Sequence, residues 1–135
     1  MVLGAAGCKS SQTRETKLAP AFGLPEITLR AKNQDDIKQV ATEFFLRRDY
    51  VEARSQWVNE IVFDKPVKNR RSGRALRVRL KIHKQSDESW RLVGTPMGVE
   101  GWRTDLESEF VLLEGSSQIQ GFLVEIKTRV ESAGR

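Results

Sequence analysis

Between Leu76 and His83 apolar and polar residues alternate without a break. Leu76, Val78, Leu80 and Ile82 fall on one parity and Arg77, Arg79, Lys81 and His83 on the other. Successive side chains of a strand point to opposite faces, so the stretch predicts a strand with one face buried and one solvated. Such a strand belongs in an antiparallel sheet, since parallel sheets are buried on both faces and their strands read as continuous apolar runs. The rest of the chain must supply its neighbours and a cover for its apolar side.

Ile27-Thr28-Leu29-Arg30 alternates briefly and predicts a first strand. Asn33 then suits a helix N-cap, with Asp35 and Asp36 in the first turn, where negative charge favours the amide end of the helix. Ile37, Val40, Ala41, Phe44 and Phe45 recur at helical spacing and define its apolar stripe. Tyr50–Arg54 and Asn59–Phe63 read as a hairpin, and Pro66 ends its second strand because proline cannot donate to a ladder. The stretch 68–74 is a loop. After a turn at Gln85–Glu88, a return strand starts with Trp90–Val93 and either stops there or runs on to Val99 past Gly94 and Pro96, and Gly98–Glu109 fits no single element. Phe110–Leu113 is either a short strand or the lead into a last helix. Ile119, Phe122, Leu123, Ile126 and Val130 form the stripe of that helix, and Ser117 with Gln120 fits a capping box. Trp57, Trp90 and Trp102 are expected in the core or at its edge. The expectation is an α+β domain over residues 26–135, with an antiparallel meander sheet of four to six strands and two helices packed on one face. Residues 1–25 are expected to be a flexible N-terminal arm.

The chain has 135 residues, one cysteine (Cys8) and one histidine (His83), which excludes an intramolecular disulfide and a His/Cys zinc site. No cofactor is expected. His83 falls on the solvated parity between Lys81 and Lys84, a poor setting for a general base. The carboxylate pairs Asp35/Asp36 and Asp87/Glu88 suit a helix start and a turn, and Glu107/Glu109 stands as a third pair. Gly94–Gly101 has neither the Gly-Lys-Ser/Thr ending of a phosphate loop nor the dinucleotide-binding spacing before a helix. The domain is therefore expected to bind rather than catalyse. No run of apolar residues is long enough to span a membrane as a helix.

Charge is the most informative feature. Nine basic residues and no acidic one lie between Lys65 and Lys84, while the rest of the chain carries 14 basic against 18 acidic residues. Alternation aims Arg77, Arg79 and Lys81 the same way, with Arg70, Arg71 and Arg74 in the loop at one end of the strand. These six are the expected site for an anionic or protein partner. Nucleic acid is the alternative ligand, although no aromatic residue interleaves the stripe as a stacking platform would require. A small-ligand carrier, with a pocket between helices and sheet, is a further alternative.

Small residues precede Cys8 and polar ones follow it, so Met1–Ser11 resembles the end of a bacterial lipoprotein signal, in which that cysteine becomes lipidated. A cytosolic start with an incidental cysteine is the other reading. The Asn33-Gln34-Asp35-Asp36 helix start, the Trp57–Pro66 and Arg77–Leu80 strands and the Gln118–Ile126 helix together resemble small bacterial envelope lipoproteins of uncharacterised function over about residues 26–132. That resemblance implies a periplasmic, lipid-anchored location, with membrane contact only through the anchor, and no catalytic residue.

Overall fold

The alternating stretch lies within a twelve-residue strand at the centre of a six-stranded sheet. The computed structural model describes residues 24–68 and 73–133; residues 1–23 of the expected arm, with Cys8, and Arg70 and Arg71 lie outside them, while Pro25, expected in the arm, is buried against β5. In chain order the elements are β1 (Glu26–Arg30), α1 (Gln34–Leu46), β2 (Val51–Ala53), β3 (Glu60–Pro66), β4 (Ala75–Ser86), β5 (Ser89–Glu100) and β6 (Ser108–Val111). A 3₁₀ turn (Leu113–Gly115) then leads into α2 (Ser116–Ala133). The fold is α+β, as expected. Strands β2 to β5 form an antiparallel meander, and the strand order is β1-β5-β4-β3-β2.

Two strands share the remaining side of β5. β1 pairs with it from Ser89 to Val93, and β6 from Met97 to Glu100. Alternation then sorts the side chains. Ile27, Leu29, Ile61, Phe63, Val78, Leu80, Ile82 and Leu92 are buried with Ile37, Ala41, Phe44 and Phe45 of α1 and with Ile119, Leu123, Ile126 and Val130 of α2. Phe45 stacks on Phe63 with ring centroids 4.5 Å apart. At Gly94 an added Cβ would come within 2.8 Å of Ile119 Cγ2, so the bare backbone of β5 lets α2 sit down on the sheet.

Asn33 caps α1 as its sequence position predicts, its Oδ1 accepting from the Asp36 amide at 2.9 Å. The second expected cap does not form. The Ser116 amide donates to the carbonyl of Leu113, so the 3₁₀ turn runs into α2 and places Ser117 inside the helix. Gln120 is instead fully buried and faces β1: its Oε1 accepts from the Glu26 amide at 3.0 Å, and its Nε2 donates to the Glu26 carbonyl at 2.9 Å.

Candidate functional site

On the face opposite the helices the register sets Arg77 beside Asp64 and Arg79 beside Val62, with β5 on their other side. Arg77 and Arg79 lie on the predicted face, but the expectation that their guanidiniums meet solvent is corrected. Arg77 is 8% exposed. Its Nε donates to Asp64 Oδ1 at 2.7 Å and its Nη2 to Asp64 Oδ2 at 2.9 Å, a planar fork on a planar acceptor. Glu109 and Glu107 accept from the same guanidinium at 2.9 and 3.1 Å. Arg79 donates to Glu109 through Nε at 3.0 Å and to Glu60 through Nη1 at 3.1 Å. Two guanidiniums thus meet four carboxylates.

The segment after β5 closes this network. Gly101 takes φ +65, and Trp102 turns back so that its amide donates to the Gly73 carbonyl and its indole Nε1 to Asp64 Oδ2 at 2.9 Å. Arg103 lies over the Trp102 ring, 4.3 Å from its centroid. At the other end Ser55 Oγ donates to Glu60 Oε1 at 2.7 Å. Hydrogen bonds donated to Asp64 raise the pKa of Arg77 above its ordinary value, against burial, which acts to lower it. Burial would push Glu109 up, but hydrogen bonds and charge from Arg79 and Arg77 prevail and hold it below the usual carboxylate value.

The described part of the basic stripe is therefore divided between paired and exposed side chains. Arg77 and Arg79 are bound to carboxylates, while Arg74 and Lys81 are exposed. His83 is half-buried on the same face, beside Arg91 in the ladder. Trp90 is buried, its Nε1 donating to the Ala31 carbonyl at 2.9 Å, and Trp102 is half-buried, both as expected. Trp57 departs from expectation at 61% exposed, in the turn between β2 and β3. It lines an open cleft of about 470 Å³ with Glu52, Arg54 and Glu60.

The two strands that share one side of β5 end differently. The Gly94 amide donates to the Pro25 carbonyl and the Ala31 amide to the Glu88 carbonyl, so Glu26, Thr28 and Arg30 turn their backbone groups outward. Side chains of α2 meet them. Gln120 bonds both groups of Glu26, Lys127 Nζ donates to the Thr28 carbonyl at 3.0 Å, and Glu131 Oε2 accepts from the Arg30 amide at 3.0 Å. In β6 the Leu112 amide donates to the Pro96 carbonyl, so Ser108 and Phe110 face β5, while Glu109 and Val111 turn their backbone outward. Among the described residues nothing covers that side.

All four residues of β6 are exposed. Phe110 lies against Gly98, where an added Cβ would come within 2.6 Å of its ring, and Leu76 follows in the same cross-strand row. Phe110 remains 46% exposed, with Leu76, Val111 and Leu113 also uncovered. Sequence reasoning missed this site because Phe110–Leu113 read equally well as strand or helix lead, and strand neighbours are not legible in one segment. A scan against protein-family models and a search of the curated proteins each found no match to this chain.

Proposed function

We propose that this chain is a non-enzymatic binding domain that accepts an extended segment of a protein partner as an additional strand on β6. One contrast carries this reading. Along a single side of β5, the outward amide and carbonyl of Glu26, the carbonyl of Thr28 and the amide of Arg30 in β1 are bonded by Gln120, Lys127 and Glu131, whereas β6 presents the backbone groups of Glu109 and Val111 beside exposed apolar side chains. An edge strand with unpaired donors and acceptors is a template for another strand, in which main-chain bonds give affinity and alternate side chains give specificity. Arg77 and Arg79 hold the fold together in this reading and do not receive the ligand.

Proline tests it cleanly. At Val111 the backbone amide points away from β5, so proline removes no ladder bond within the domain but blocks an incoming strand. Wild-type protein panned against displayed random peptides is expected to enrich extended segments with alternating apolar residues. Val111→Pro is expected to weaken their binding at least about tenfold, roughly 1.4 kcal/mol, with the thermal unfolding midpoint little changed. Equal binding by the folded variant would overturn strand docking on β6.

We also propose that the domain is anchored in the bacterial envelope through a lipid on Cys8, supported by the small residues Gly4 to Gly7 that precede it. Expressed in bacteria with an export leader ahead of Met1, the chain is expected to incorporate labelled fatty acid and to sediment with membranes. Cys8→Ser should be unlabelled and released. An unlabelled wild-type product would refute the anchor and leave the binding reading untouched.

A further inference from the structure

We infer that the strand received by β6 is β6 of a second copy of this chain, which gives a two-fold dimer with one continuous sheet. This rests on the strand-docking reading and names its partner. The outward backbone groups of β6 belong to Glu109 and Val111, which flank Phe110 symmetrically. Antiparallel pairing about a two-fold axis at Phe110 sets Glu109 of one copy opposite Val111 of the other, and the reverse. Every outward donor and acceptor of both strands then finds a partner.

Charge agrees with this register. Like charges directly opposite in a sheet are unfavourable, and the two-fold places none there. The one charged side chain of β6, Glu109, is already held by Arg79 and Arg77 of its own copy. The strand Ser108-Glu109-Phe110-Val111 has no lysine or proline, the residues that commonly guard an edge. On the helix side of the sheet the two Phe110 rings become direct cross-strand neighbours, with Leu76 of each copy next in the row beyond Gly98. A foreign peptide would make the same few main-chain bonds, whereas a second copy brings a strand already ordered in its own sheet, with the same exposed apolar residues, and so loses less freedom on pairing. The side chains of Gln120, Lys127 and Glu131 on β1 stop the pairing from running further along β5. The interface is therefore short, and dimerisation is reversible and concentration-dependent.

Sedimentation equilibrium across a roughly hundredfold concentration range reads the association directly. Wild-type chain is expected to pass from monomer to dimer within that range. Val111→Pro and, independently, Phe110→Glu should each raise the dissociation constant at least about tenfold while circular dichroism stays native. Phe110 pairs with itself across the two-fold, so Phe110→Cys in a Cys8→Ser background should form an intermolecular disulfide under mild oxidation, since directly opposed residues lie within disulfide reach. Adding Val111→Pro should abolish that link. A wild-type chain that stays monomeric throughout, yet binds displayed peptides in a manner lost in Val111→Pro, overturns self-pairing and leaves strand docking standing. A dimer that persists in both variants and yields no Phe110→Cys link lies on another surface, and the inference falls.

Discussion

Arg77→Ala is expected to lower the unfolding free energy by about 3–5 kcal/mol, the loss typical when one partner of a buried ion pair is removed. Alanine would leave Asp64 with one indole donor, and Glu107 and Glu109 without the guanidinium between them. Asp64 is only 2% exposed, so solvent has little access to compensate it. Arg77→Lys should recover part of the loss, because an ammonium restores charge but not the two parallel bonds of the fork. Urea titration with tryptophan fluorescence measures both. An Arg77→Ala domain within about 1 kcal/mol of wild type would place this network with surface ion pairs, whose contribution is that small.

Glu109 of the same network contributes to the acid limb of stability. Glu109 has a folded pKa below its usual value, so its contribution is present above the unfolded value of about 4.3. It is lost as pH falls through the folded value, because the unfolded chain then takes up the proton more readily. Wild type should therefore lose stability below about pH 4.3 more steeply than Glu109→Gln, which has no proton to bind there. Parallel acid limbs would remove Glu109 from the account.

Leu80→Ala is expected to cost about 2–5 kcal/mol, as cavity-forming substitutions in a packed core do. Leu80 is fully buried at the centre of the sheet, between Ile61 of β3 and Gly94 of β5. Gly94 has no side chain to collapse into the gap, and Ile119 already closes on it, so the site has little room to relax. Phe122→Ala should cost less. Its ring meets Phe44 and Phe45 edge-on at 5.2 and 5.7 Å but is only partly buried, so its removal opens a groove rather than an enclosed void. Chemical denaturation of the two variants side by side checks the order, and a reversal would move the centre of the core toward the contact between the helices.

Local features of the fold were legible in the sequence wherever one segment contained its own signal. Alternation through β4, the helical spacing from Ile37 to Phe45 and from Ile119 to Val130, the Asn33 cap and the stop at Pro66 each depend on residues a few positions apart. The parity that placed Arg77, Arg79 and Lys81 on one face is of this kind. What surrounds those side chains is not. Glu107 and Glu109 follow Arg77 by 30 and 32 positions, and they reach it only because β6 adds to β5 and the segment after Gly101 folds back over the sheet. Nine basic residues in a row of twenty therefore looked like an open anion site, although carboxylates from β3, from β6 and from the segment leading into it neutralise the middle of it.

Gln120 makes the same point from the opposite side. Three residues after Ser117 it matched a capping box, but its amide group is used 94 positions away, on the backbone of Glu26. Outside β6 and the start of α2, the sequence by itself determined where strands and helices form and which side of each is apolar, because those choices follow from local sterics and from periodicity against water. Only the tertiary structure decided which charges meet, which strand edge is closed by α2 and which is left open at β6. Those outcomes depend on strand order and register, and they bring together groups whose separation along the chain carries no trace of their separation in space.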